Sequence, residues 1–399
     1  MNFALDTLLL NKDLQKKLQN KKIGLLANPA STDKNLIHSV DCLVKIGINL
    51  KLLIGPQHGI RGEKQDNMIE SPDHVDQRTS LPVFSLYGKN RRPCEDLLSQ
   101  IDLIIIDLQD LGCRIYTYET TLLYMLEACA EAKKSVLILD RPNPIGRKIG
   151  GFQLEKEFIS FVGAQEKMPF QHGLSLAELA LYFKKTKNLA LQLEIIKYDN
   201  FDTSQRAWPD GKRPWVNPSP NIPRLSSAEV FPGSVLIEGT FLSEARGSTR
   251  PLESVSNPIF DAEKILNSFE KKYPSLFSQA LFRPFFFEAT FQKHQGTLCE
   301  GIFIHTDYEN FNIHNFDAFL IFSCLLKEFH QQHPDQKLWH NNEYEYEKDK
   351  LAIDLIAGTK KLRNWVEESH SSLEDLQKLM IKEHQEWKEE RKSYLLYED

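Results

Sequence analysis

Polar side chains collect in four places along this chain, each directly behind a short apolar run. Asn28 follows the first run, Gln57, His58 and Arg61 the second, Asp107, Asp110 and Arg114 the third, and Asp140, Arg141 and Asn143 the fourth. Carboxyls, guanidiniums, amides and imidazole together suit the holding and hydrolysis of a carbohydrate, in which an acid protonates the leaving oxygen while other groups bind hydroxyls. Further along, His172, Asn221, Glu244, Arg246 and Arg250 extend the set, and Trp208 and Trp215 in WPDGKRPW could form sugar platforms or simply pack a Pro-rich loop. A second account covers the strand-end residues equally well: loops are polar because they face water.

The four runs, KIGLLA, LKLLIG, IDLIIID and SVLILD, are continuous rather than alternating, the pattern of strands covered by helices on both faces. Helical stripes separate them, so the expected fold is α/β with a mostly parallel, doubly wound sheet. In such sheets ligands bind beyond the strand carboxyl ends, where the polar groups would meet. SLAELALYFKK carries a capping box, Ser175 with Glu178, and FRPFFFEATF with EGIFIHTD reads as antiparallel strands ahead of a helix at FDAFLIFSCLLKEF. This places a Rossmann-like domain over residues 1–259 and a smaller α+β domain over 260–399, with a cleft between them.

A net charge of -6 gives no basic field for nucleic acid or anionic lipid. The apolar runs fall short of the roughly 20 residues that span a bilayer, and the N-terminus does not resemble an export signal. Six scattered cysteines fit reduced thiols, so the expectation is a cytoplasmic protein. GPQHGIRG lacks the GxGxxG spacing, and GxxxxGK[ST], GxSxG and HExxH do not occur, so neither cofactor nor metal is expected.

LLANPAS, GPQHGIRG, DLQDLGCRIYTY, LDRPNP, HGLSLAELA, NPSPNIP, EGTFLSEARGSTRP and KHQGTLCEG occur in the order found in one family. The chain resembles the family once catalogued as domain of unknown function 1343, some members of which are exo-acting β-N-acetylmuramidases. The resemblance implies a Rossmann-like domain, a smaller C-terminal domain, an active site in the cleft and a saccharide or muropeptide substrate. It also implies that neither metal nor nicotinamide is required.

The family usually reads PEHG where this chain has Pro56, Gln57, His58 and Gly59. An amide cannot give up a proton as a carboxylic acid does. Three accounts follow: the role has moved, the ligand differs, or the protein binds without turnover. Glu119, just behind the third strand, is the first candidate for a moved acid; a helix start also favours Glu there without any catalytic role. Glu63, Asp66 and Glu70 are alternatives. Arg246 and Arg250 could grip the lactyl carboxylate of muramic acid, or pair with Glu244 and Glu253. In the expected mechanism the substrate's acetamido oxygen attacks the anomeric carbon, Gln57 orients that amide, and Glu119 or one of the loop acids supplies the proton; His58 is a ligand contact, a proton carrier or a structural histidine.

Overall fold

The computed structural model describes residues 1–62, 64–65 and 68–397. Its larger sheet contains β1 (Ile23–Ala27), β2 (Leu50–Gly55), β3 (His74–Val75), β4 (Pro82–Ser85), β5 (Leu103–Asp107) and β6 (Ser135–Leu139). After the hairpin of β7 (Gly150–Gln153) and β8 (Pro169–Gln171), β9 (Leu193–Ile196) completes it. The order is β3-β4-β2-β1-β5-β6-β9. Only β3 runs antiparallel to its neighbour. The four apolar runs are thus β1, β2, β5 and β6, and the chain reverses its direction of winding between β2 and β5, which flank β1.

Strand pleating divides the core. Ile23, Leu25, Leu103 and Ile105 pack against the helices Ala4–Leu10 and Ser39–Lys45. Leu26, Ile104 and Ile106 face the other way, into a cluster shared with Phe319, Ile321 and Leu355 of the second lobe. One apolar core therefore runs through both lobes.

The second lobe is built on β10 (Ser254–Asn257), β11 (Leu281–Glu288) and β12 (Leu298–His305), an antiparallel sheet with β12 central. The boundary drawn at 260 from sequence differs from this packing in two ways. β10 lies upstream of it yet pairs with β12. The C-terminal helix Leu373–Arg391 returns to the first lobe, where Trp387 donates to the His172 carbonyl at 2.8 Å and Glu383 accepts from the Gln153 amide at 3.0 Å. Strand pairing and helix docking over long chain distances decided both points, and neither has a local signature. Among the described residues no helix is long and apolar enough to cross a membrane.

Candidate active site

The turn after β2 is tight: the Gly59 amide donates to the Pro56 carbonyl at 2.9 Å, with His58 and Gly59 both left-handed at φ 70° and 86°. Glycine accepts that geometry freely and histidine does so at a cost. The turn sends Gln57 inward, where Thr117 Oγ1 donates to its Oε1 at 2.7 Å and its Nε2 donates to Glu345 Oε1 at 3.0 Å. Both ends of the amide are thereby committed. Tyr87 Oη donates to Glu345 Oε2 at 2.8 Å.

The opposite wall belongs to the second lobe. Arg246 Nη2 donates to Glu238 Oε1 at 2.5 Å and its Nε to Glu244 Oε1 at 3.0 Å, while Tyr344 Oη donates to Glu238 Oε2 at 2.8 Å. Lys293 Nζ meets Glu244 Oε2 at 3.1 Å. Gln57, His58, Thr117, Asn221, Glu238, Arg246, Tyr344 and Glu345 line one cavity of ≈ 40 Å³ between the lobes. That volume holds a water or two and is far smaller than a sugar ring.

Electrostatics separates the carboxyls of this wall. Burial pushes Glu345 up to about 7, against the hydrogen bonds from Tyr87 and Gln57 that pull it down. Burial acts on Glu244 as well, but Lys293 and Arg246 prevail and hold it below the usual range. Burial likewise opposes the charge of Arg246, and Glu238 with Glu244 more than restores it. Glu345 and Tyr346 are consecutive non-glycine residues with positive φ, 46° and 73°, and Arg91 lies 4.0 Å from the Tyr346 ring centre. Such strain is held only where surrounding contacts over-determine it, and it concentrates at functional sites.

Of the residues singled out from sequence, Gln57, His58, Asn221 and Arg246 line this cavity, and Glu244 stands behind Arg246. Asn221 Nδ2 donates to the Gln65 carbonyl at 3.0 Å. The guanidinium of Arg246, expected as a fork for a lactyl carboxylate, is already shared by two carboxylates. Arg250 is similarly occupied by Glu253 and Asp307.

Glu119 differs most from expectation. It sits in the first turn of the helix Tyr118–Glu131, 1% exposed, outside the cavity and facing the core. Burial, with Asp110 nearby, raises it well above the normal range, and among the described residues neither oxygen has a hydrogen-bond partner. Its neighbour His172 is driven down to about 3 by burial and by Arg391 and Arg114. His172 Nδ1 accepts from the Leu174 amide, so Nε2 carries the proton and points to Glu119 Oε2 3.9 Å away. That contact joins two neutral groups and is too long for a hydrogen bond.

The remaining strand-end groups hold the scaffold. Arg141 grips Asp107 with Nε at 2.6 Å and Nη2 at 3.1 Å, both residues buried. Asn28 donates to the Gln109 carbonyl at 3.1 Å and ties the loop after β1 to that after β5. Asp140 accepts from Ser175 Oγ at 2.7 Å and the Ala177 amide at 3.0 Å, capping the helix Leu176–Thr186. Asn143 donates to the Leu174 carbonyl at 3.1 Å, and Asp110 accepts from the Gly112 amide at 2.7 Å. Arg114 is buried and donates to the carbonyls of Val162 and Ile356, both at 3.0 Å. Arg61 is held by Asp76 at 2.8 Å. Glu63 and Asp66 lie outside the described residues, and Glu70 is exposed.

Trp208 packs edge-on against Trp215 with ring centres 4.9 Å apart, and their indole N–H groups donate to the carbonyls of Arg213 and Ile222. They stiffen the Pro-rich loop. A larger hollow of ≈ 710 Å³, lined by Arg206, Trp208, Lys212 and Asp307, lies beside that loop. Of the acids lining it, Asp202 is held below its usual range by hydrogen bonds from Ser204, and Asp307, against its burial, by Arg250 and His305, so the smaller cavity, with Glu345 raised, is the better chemical candidate.

Tyr116, Thr117, Ser219, Glu238, Tyr344 and Glu345 escaped the sequence reading. For the last two the available signal was NEYEYE, tyrosines alternating with acids ahead of a buried helix.

Residues 23–226 match the N-terminal domain, and residues 229–397 the C-terminal domain, of the exo-beta-N-acetylmuramidase NamZ family. The peptidoglycan beta-N-acetylmuramidase NamZ of Bacillus subtilis (strain 168) is 36% identical over 400 aligned positions, which cover 99% of this chain and 91% of that protein. Two DUF1343 family proteins of Bacteroides fragilis NCTC 9343 have similar crystal structures. One has a TM-score of 0.83 at 29% identity, the other 0.72 at 25%, and each comparison covers 100% of this chain and 99% of the other. The chain therefore belongs to the exo-beta-N-acetylmuramidase NamZ family.

Proposed function

We infer that this protein is an exo-acting glycoside hydrolase that releases N-acetylmuramic acid from the non-reducing ends of peptidoglycan fragments. The observation that carries the reading is the buried carboxyl–carboxamide contact of Glu345 and Gln57, set between the lobes of a chain 36% identical to a muramidase almost end to end. A neutral carboxyl in a water-poor cavity can protonate a leaving oxygen. The sugar's own acetamido oxygen can attack the anomeric carbon, as in substrate-assisted glycosidases. Gln57 is spent on Thr117 and Glu345, so its part is to position rather than to orient the acetamide.

A ring larger than the ≈ 40 Å³ cavity enters only if the lobes or the Tyr344–Tyr346 segment part and then reclose. Six free cysteines support a reducing, cytoplasmic place of work. The test is to incubate purified protein with a synthetic N-acetylmuramyl-β-1,4-N-acetylglucosamine and follow free N-acetylmuramic acid. Release is expected. Saturable binding without release would favour a second reading, a muropeptide-binding protein, for which the amide at position 57 is the one argument.

A further inference from the structure

We propose that Glu345 is the catalytic acid of this protein, with Gln57 and Tyr87 as positioning residues that aim its carboxyl at the glycosidic oxygen. The proposal rests on the muramidase reading and adds the residue that performs its proton transfer.

Two carboxyls line the cavity, Glu238 and Glu345, with Glu244 behind Arg246, and their partners differ. Glu238 is paired with Arg246, and Glu244 with Arg246 and Lys293. Among the described residues Glu345 forms no ion pair; its two hydrogen bonds come from a phenol and a carboxamide, both uncharged. A carboxyl that must carry a proton near neutral pH needs surroundings in which no paired cation strips it. Burial is the largest influence and holds the group at about 7; Tyr87, Gln57 and the Arg91 charge pull it down, and the Glu238 charge pushes it up. The left-handed backbone at Glu345 and Tyr346 points the same way, since that conformation persists only with support.

Gln57 completes the argument. A carboxyl there would compete with Glu345 for one proton, whereas the amide can only donate through Nε2, leaving Glu345 as the ionisable member of the pair. In the step itself the Glu345 carboxyl O–H bond breaks and its proton passes to the glycosidic oxygen. As the acetamido oxygen bonds to the anomeric carbon, the bond from that carbon to the glycosidic oxygen breaks, its electron pair leaving with the oxygen. Water then displaces the acetamido oxygen, its hydroxyl going to the anomeric carbon and its other proton back to Glu345.

The experiment compares wild type, Glu345→Gln and Tyr87→Phe on two substrates: the muramyl disaccharide, whose leaving group needs a proton, and a 2,4-dinitrophenyl muramide, whose leaving group does not. Glu345→Gln is expected to lose about 10²- to 10⁴-fold in kcat/KM on the disaccharide and less than about tenfold on the aryl glycoside. Its alkaline pH limb should vanish. Equal losses on both substrates, or none, overturn the proposal. Tyr87→Phe removes a hydrogen bond that lowers Glu345, so its alkaline limb should move to higher pH; an unmoved limb also overturns the proposal, even if Glu345→Gln fails to fold. Wild type inactive on both substrates would instead remove the muramidase reading itself.

Discussion

Gln57 and Glu345 stand 288 positions apart in the chain, yet the amide nitrogen of one donates to the carboxyl oxygen of the other over 3.0 Å. The contact bridges the loop after β2 and a loop of the second lobe, so it exists only when both lobes are assembled. Replacing Gln57 by Glu would place two carboxyls at that distance, and like charges so close cannot both ionise. The wild-type alkaline limb of kcat/KM is expected at about 7, and that of the variant is expected above it, with the pair titrating as a unit. A pH–rate profile of Gln57→Glu checks this, and a limb that stays put would show that the two groups are uncoupled.

Glu119 makes an opposite prediction. A carboxyl whose folded pKa is raised contributes stability that is full below its unfolded value, here near 4.5, and is lost as pH rises toward the folded value. Glu119→Gln removes that loss. The variant should melt at least as high as wild type at pH 8, with a smaller advantage at pH 5, and should retain activity to within about tenfold because no acid has been removed from the cavity. Thermal melts at the two pH values and one rate measurement suffice. A large loss of turnover with intact melting would return Glu119 to the chemistry.

The contrast between these acids shows what was legible in the sequence. Runs such as IDLIIID announced buried parallel strands because burial on both faces leaves a local mark, and Ser175 with Glu178 announced a helix start for the same reason. The polar residues at strand ends were also visible, but their partners were not. Asp107 and Asp140 turned out to brace Arg141 and Ser175, and nothing local distinguishes a brace from a ligand contact. Glu345 was hidden more deeply, since its role depends on Gln57 and Tyr87, supplied by the other lobe.

Arg246 is in the cavity, but its charge is divided between Glu238 and Glu244. Arg246→Lys keeps the charge and loses the fork, which should cost about 1.5–3 kcal/mol in stability as charged hydrogen bonds are lost. Discrimination between N-acetylmuramic and N-acetylglucosamine glycosides should change little, because the guanidinium is already spent. Denaturant unfolding and the ratio of kcat/KM values on the two substrates test both halves. A collapse of the ratio would assign lactyl recognition to Arg246.

Entry of the sugar sets the last expectation. The cavity of ≈ 40 Å³ is closed by Tyr344 and Glu345, and the strained residues Glu345 and Tyr346 cost about 1–3 kcal/mol each while they stay left-handed. Opening forfeits the bonds from Gln57 and Tyr87 but relieves that strain, so the two terms offset and the segment should open more readily than the sheet behind it. Hydrogen exchange should therefore be faster at residues 341–348 than in β12, and a bound muramyl ligand should slow it by restoring the closed contacts. Arg91→Ala, which removes the cation packed on Tyr346 at 4.0 Å, should speed exchange in the same segment. Exchange there as slow as in β12, with or without ligand, would mean that the sugar enters by another route.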